Sequence, residues 1–261
     1  MPDQPATPPS GFSVPHIAGL VKASIPPMHP GGRSAVATVA AVAGIVRALT
    51  GRGTAAGVLA TAATAAFFRA PRRVPPPLRD VVLAAADGTI TVVDDALPPV
   101  ELDLPRAPRP RVSVFLSVLD VHVQRIPVEG RVLAVAYRPG AFGSADLDKA
   151  SEDNERNAVT IATSAGHRVG VVQIAGLLAR RILCDVRPGD EVAAGETYGL
   201  IRFGSRVDVY LPPGVRIIVA VGQRTIGGET VLATLPSAPP QAGSSAPPTA
   251  SSFEPPAAAV P

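Results

Sequence analysis

At 261 residues, of which 30 are proline and 24 glycine, the chain has room for one core domain with tails but not for two full domains. A single cysteine excludes an internal disulfide framework and CxxC metal sites, and four scattered histidines show no metal-ligand spacing, so no metal is expected. The net charge of +3 is modest, but residues 4–79 carry eight Lys or Arg and no Asp or Glu. That block also holds the longest apolar runs, and aromatic residues make up only 4% of the chain. Basic and apolar together suggest an anionic membrane surface, and the lack of interleaved aromatics argues against nucleic acid.

Residues 1–33 carry PPS, IPP and PGG punctuation and are expected to be disordered. Two apolar segments follow, Ala35–Val46 and Ala55–Phe68, separated by Gly51-Arg52-Gly53. They read as a helical hairpin. About 14 residues cover roughly 21 Å, short of a hydrocarbon core of roughly 30 Å, so the hairpin is expected to dip into one leaflet. Packing of both helices on the protein's own core is the alternative. A cleaved signal peptide fits poorly, because the apolar run starts late and lacks a compact basic start. With the basic, proline-rich connector at 69–79, this unit spans 34–79.

From Val81 onward short β-type runs alternate with turn signals: VVLAAADGTITVV, RVSVFLSVLDVHV, GRVLAVAYRPG and AVTIATSAGHRVGVVQIAG. Only Leu177–Arg181 has helical character. Cys184, between apolar neighbours, reads as a small buried hydrophobe. One internal repeat stands out: Val186–Thr197 (VRPGDEVAAGET) matches Val219–Thr230 (VAVGQRTIGGET) at an offset of 33 residues. Each copy sets two glycines six apart, with Glu-Thr after the second, like the paired hammerhead turns of the barrel-sandwich folds of lipoyl and biotinyl carriers. The expected fold is mainly β (α+β): a barrel-sandwich-like core of quasi-two-fold character over 80–235, a short N-terminal helical hairpin and disordered termini. The tail, 236–261, is low-complexity Pro/Ala/Ser sequence. The carriers' lysine is absent between the two copies, so the segment there, IRFGSRVDVYLP, has another purpose.

Alternation from Ser205 onward puts Ser205, Val207, Val209 and Leu211 on one strand face and Arg206, Asp208 and Tyr210 on the other. Gly204 before the serine permits strain and close approach at the Gly204–Ser205 bond. Taken alone, Gly-Ser is also an ordinary strand start. The full segment IRFGSRVDVYLP resembles the self-cleavage site of phosphatidylserine decarboxylase proenzymes, in their smaller, type A-like branch. Further blocks resemble that family in the same order: FFRAPRR (67–73), AAADGTI (84–90), FLSVLDVHVQRIPVEG (115–130), YRPGAFGSADLDKASEDNERN (137–157) and VVQIAGLLARRI (171–182).

The resemblance implies a mechanism. Ser205 Oγ attacks the Gly204 carbonyl, the peptide becomes an ester, and elimination followed by hydrolysis leaves a pyruvoyl group at position 205. That covalent pyruvoyl cofactor forms a Schiff base with the amine of phosphatidylserine and accepts electrons as CO2 leaves, giving phosphatidylethanolamine. No pyridoxal phosphate is implied, and only Lys22 and Lys149 are present. The product is a heterodimer of the chain's own large (1–204) and small (205–261) parts, alone or in a higher oligomer. Its expected place is the cytoplasmic side of the cell membrane, held peripherally on the anionic surface, with no nucleic-acid partner.

His122, in LDVHVQR, is the candidate base, with a structural histidine as the alternative. Asp87, in ADG, either orients a base or serves as a turn aspartate before Gly88. In the larger branch a second histidine lies three residues after the first. Here Arg125 stands in that place, which puts a complete Asp-His-Ser relay in doubt and leaves His167 as a substitute base. Arg202, Arg206, Arg125 and Arg156 are unranked candidates for the anionic headgroup. Two rival readings use the same residues: a pyruvoyl decarboxylase of another serine lipid or a soluble amino acid, and a non-enzymatic β-sandwich module.

Overall fold

The computed structural model describes residues 25–140, 153–176, 181–202 and 205–236. The tail, most of the expected N-terminal disorder, the helix expected at 177–181 (save Arg181) and Gly204 lie outside the described residues. Order begins earlier than residue 33. Met28 bridges Arg69, and a 3-10 turn over Pro30–Gly32 leads directly into helix α1 (Arg33–Thr50).

Helix α2 (Thr54–Phe67) returns antiparallel to α1. The turn between them is made by Gly51 and Gly53, at φ 66° and 87°, the left-handed region that glycine enters without steric cost. The Ala-rich flanks carry α1 well beyond the expected Ala35–Val46. Its 18 residues span about 27 Å, and with the preceding turn it is long and apolar enough to cross a membrane by length and composition. The alternative of packing on the core does not hold for the hairpin's length: α1 buries no residue and α2 only Phe67. Val42, Ile45, Leu49, Val58 and Leu59 are exposed.

The rest is β. In chain order the strands are β1 (Val81–Leu83), β2 (Gly88–Ala96), β3 (Arg109–Leu116), β4 (Val123–Arg125), β5 (Gly130–Arg138), β6 (Arg156–Ala162) and β7 (Arg168–Ala175). They continue with β8 (Ile182–Cys184), β9 (Glu191–Val192), β10 (Thr197–Ile201), β11 (Ser205–Tyr210), β12 (Arg216–Ile217), β13 (Arg224–Thr225) and β14 (Val231–Thr234). Eight of them form one curled sheet in the order β13-β2-β3-β11-β7-β6-β5-β9, and the others form two three-stranded sheets, β1-β14-β12 and β4-β10-β8.

The quasi-two-fold expected from the repeat is written into the register. An axis between β11 and β7 exchanges β3 with β6, β2 with β5 and β13 with β9, and swaps the two small sheets. Both hairpins carry the same irregularity, between Ile90 and Val92 in β2 and between Val132 and Ala134 in β5. Both begin on a glycine, Gly88 or Gly130, where any Cβ would collide with a carbonyl oxygen of the neighbouring strand, Phe115 or Ala162. The first repeat copy binds one hairpin through Gly195 N–H to Ile126 O and Gly189 N–H to Val132 O. The second binds the other through Gly228 N–H to Ala84 O and Gly222 N–H to Ile90 O, and all four bonds are 2.8 Å. Each six-residue glycine spacing thus matches the rise of one strand start. The aliphatic core, with Val112, Val114, Leu116, Val171, Val207 and Val209, fills the inner face.

Candidate active site

Ser205 is the first residue of β11, the strand held on both sides at the middle of the large sheet. It pairs with Leu116 of β3 and Ala175 of β7. As alternation requires, its side chain shares the core face with Val207 and Val209. Ser205 is fully buried, and among the described residues its Oγ has no hydrogen-bond partner. Leaving a buried hydroxyl unpaired costs about 1–3 kcal/mol, so the fold spends stability at this one serine.

His122 lies in the connection from β3 to β4, also fully buried. The connection is a tight turn: the Asp120 carboxylate accepts from Ser117 N–H and Oγ–H, and Arg224 pairs with its other face. That turn aims the Asp120 carbonyl at His122 Nδ1, 2.9 Å away. A carbonyl only accepts, so Nδ1 carries the proton and Nε2 carries the lone pair of a base. Burial pushes the imidazole pKa below its ordinary value, with Arg69 adding to the shift and Asp120 opposing it. The ring therefore stays neutral at pH 7. Phe67 covers it, with ring centroids 4.4 Å apart.

The two residues share one end of the molecule. Ile201 N–H donates to His122 O at 3.2 Å, and Ser205 follows Ile201 by four residues, a reach of at most about 14 Å. A buried amide chain fixes this backbone: Gln124 donates to His122 O, Gln173 to Gln124 Oε1 and Asn157 to Gln173 Oε1, at 2.8, 3.0 and 3.0 Å. Asp120, Phe67 and these amides are not singled out as site residues in the sequence reading. Polar Gln173 at a core-facing position between Val171 and Ala175 is the signal that could have revealed the chain.

Asp87 is committed elsewhere. Its Oδ1 accepts from Gly227 N–H at 2.8 Å and its Oδ2 from Arg73 at 2.5 Å. Burial raises its pKa, against the pull of Gly227 N–H, Arg73 and Arg125. These contacts suit the turn role. Arg125 clamps the carbonyls of Gly195 and Pro71 at 3.0 and 2.6 Å, a structural task for its guanidinium. His167 sits at the far end of the sheet, in the turn before β7, with Nε2 3.0 Å from Pro236 O.

Three of the four arginine candidates have structural partners. Arg125 has its two carbonyls, and Arg156 pairs with Glu101 at 2.8 Å. Arg206, 1% exposed, forks onto Asp208 (2.6 and 3.1 Å) and donates to Ser113. Arg206→Met is therefore expected to destabilise the uncut chain by about 3–5 kcal/mol, because Asp208 is left buried and under-compensated. Urea unfolding in a Ser205→Ala background measures this, and a loss under 1 kcal/mol would contradict the pairing. Arg202 differs from the other three. Among the described residues its buried Nε has no acceptor, while Nη2 donates to Gly31 O at 3.0 Å.

Compared with known proteins, the chain matches the family model described as phosphatidylserine decarboxylase over residues 60–233. The chain belongs to the phosphatidylserine decarboxylase family. It is 59% identical over 222 residues to the phosphatidylserine decarboxylase proenzyme of Mycobacterium marinum, covering 85% of this chain and 92% of that one. The proenzymes of Mycolicibacterium vanbaalenii (58%; 84% and 94% covered) and Mycobacteroides abscessus (57%; 85% and 94% covered) are similarly close. As a phosphatidylserine decarboxylase, a chain matched at this length is a carboxy-lyase of phospholipid biosynthesis, which removes the non-enzymatic reading. Ser205, at the head of the matched strand, fits conversion to a carbonyl group: the residue is buried, and its hydroxyl holds no bond that conversion would break.

Proposed function

We propose that the chain is a self-processing proenzyme that cuts itself between Gly204 and Ser205 and then decarboxylates phosphatidylserine to phosphatidylethanolamine. The observation that carries this reading is the buried, unpartnered Ser205 hydroxyl at the head of the central strand. Ser205 Oγ attacks the Gly204 carbonyl carbon, the C–N bond breaks, and an ester replaces the amide. His122 Nε2 takes the hydroxyl proton and returns one to the freed amine. Loss of the Ser205 α-proton with the Gly204 carboxylate as leaving group gives dehydroalanine, and water then displaces ammonia. The atoms balance without any oxidant. The resulting pyruvoyl group supplies the electron sink that decarboxylation requires. In turnover His122 Nε2 takes the proton that the substrate ammonium gives up and returns it to the substrate carbon once CO2 has left.

The cut falls where it severs no ladder. β10 belongs to a small sheet and β11 to the large one, and each of the six residues of β11 is paired on both sides. The two products are therefore expected to stay together. Intact-mass analysis should find two chains, 1–204 and 205–261, the smaller lacking a free amine and reacting with hydroxylamine. Native gel filtration should return one peak containing both. A single unmodified chain from native membranes would sink the reading.

We assign the enzyme to the cytoplasmic face of the cell membrane, held peripherally by the α1–α2 hairpin. The exposed aliphatic residues and the basic flanks Arg33, Arg47, Arg52, Arg69, Arg72 and Arg73 support this. Vesicles containing an anionic lipid should carry the protein upward in flotation. Leu49→Asp with Leu59→Asp should abolish that, and unchanged flotation of the double variant would refute the hairpin's role.

A further inference from the structure

The hairpin does not end at its exposed tip. Its base is tied into the site just described. Phe67 and Phe68 close α2 and pack with Val121, Val123 and Leu200 of the β3–β4 connection, β4 and β10. His29 N–H donates to Phe68 O at 2.8 Å, Ala70 N–H to Pro27 O at 2.7 Å, and Arg69 to Leu119 O at 2.5 Å. Gly32 has no Cβ, and one would collide with the Phe68 ring. Both legs of the hairpin and the His122 turn thus meet around two adjacent rings. Phe67 lies on His122. Phe68, 1% exposed, lies under Arg202, with the guanidinium carbon 5.7 Å from the ring centroid.

Arg202 stands two residues before the scissile bond. Its guanidinium is held from two directions, by the Phe68 face and by Gly31 O, and its Nε still has no acceptor among the described residues. Among the described residues it makes no ion pair with a carboxylate. A buried, oriented donor of this kind is suited to an incoming oxyanion. The substrate offers two, a phosphodiester and a carboxylate. Clamping the carboxylate would stabilise the ground state against loss of CO2, because the charge leaves that group in the transition state. The phosphodiester keeps its charge throughout.

We propose that Arg202 binds the phosphodiester of the lipid headgroup and that Phe68 is a positioning residue that sets the Arg202 guanidinium, so that the membrane hairpin shapes the headgroup subsite. This rests on the proposed self-processing decarboxylase, so each variant is first checked by mass for the cut and the carbonyl-bearing small chain. Failure at that step in the parent enzyme would count against the reaction and not against the subsite. The test uses the processed enzyme in mixed micelles of a non-ionic detergent with phosphatidylserine. Arg202→Gln and Phe68→Leu are each expected to raise KM about tenfold with kcat within about threefold. The double variant should be no worse than Arg202→Gln alone, since Phe68 acts through the guanidinium. Phe68→Tyr should recover most of the loss because it keeps the ring face. A residue that merely filled space would show the reverse order, with leucine better tolerated than a buried hydroxyl. Phosphatidylethanolamine, which keeps the phosphodiester and lacks the carboxylate, should inhibit the parent and lose affinity in Arg202→Gln by the same factor. Melting of the same variants as uncut Ser205→Ala chains separates a folding defect from a binding one. Additive effects of the two substitutions would overturn the positioning role, and unchanged phosphatidylethanolamine inhibition would overturn the phosphodiester assignment.

Discussion

Ser205→Ala is expected to yield one uncut chain with no decarboxylation, and a fold at least as stable as that of the uncut parent. A methyl group cannot attack the Gly204 carbonyl or form the ester from which a carboxylate would leave, so processing cannot start. The stability expectation follows from burial. The hydroxyl is fully enclosed and makes no hydrogen bond among the described residues, so its removal relieves a desolvation cost instead of breaking a contact. Activity and stability should therefore move in opposite directions. Intact mass, a decarboxylation assay and a melting curve on the same sample check all three statements. Ser205→Thr gives a finer control: any processed product should carry a keto acid one methylene heavier. A Ser205→Ala chain that is still cut would remove Ser205 from the mechanism.

His122→Asn is expected to slow self-cleavage by about 10²–10⁴-fold while preserving the fold, because asparagine can still donate to Asp120 O but has no counterpart of Nε2. The pH dependence provides a second check. Burial holds the folded imidazole pKa below its ordinary 6.5, with Arg69 adding to the effect and Asp120 opposing it. Parent cleavage should thus stay fast as pH falls through 6.5 and decline only below the depressed value. The linkage has a definite sign. Between the two pKa values the unfolded chain binds a proton that the folded one refuses, so stability is full above 6.5 and declines as pH drops toward the folded value. His122→Asn in the Ser205→Ala background should lose that part of the acid sensitivity. An unchanged acid midpoint would mean that His122 is not held neutral by the fold.

The features legible in the sequence were those whose cause is local. The repeated glycine pairs announce paired turns because all four glycines take left-handed backbone conformations, although the strand starts they bind lie far earlier in the chain. The Gly-Arg-Gly turn announces the hairpin because its two flanking glycines take left-handed backbone conformations. Ser205 stands out because a polar residue heads an otherwise apolar strand face. What stayed hidden depends on distant partners. Arg206 looks like a solvent-facing residue in the alternation, yet the sheet's outer face is covered, and the guanidinium is enclosed with Asp208 and Ser113. Asp87 looks like a triad member until Arg73, 14 residues earlier, and Gly227, 140 residues later, take its oxygens. Phe67 and Phe68 read as the end of a membrane segment, because nothing local says that β4 and β10 will close over them.

The central place of β11 gives the folded state a direction in time. Ser205 acquires its surroundings only when Leu116 and Ala175, 89 and 30 residues earlier in the chain, have come alongside. On the proposed mechanism the bond is primed for cutting only once the sheet has closed, so processing would report completed folding. After the proposed cut, the strand that holds the sheet together would belong to a separate short peptide. Reassembly after unfolding would then be a bimolecular search in which the connecting residues no longer keep β11 at high effective concentration. The uncut Ser205→Ala chain is expected to unfold and refold, whereas the proposed two-chain enzyme, once taken apart and diluted, would have lost the route by which it was made.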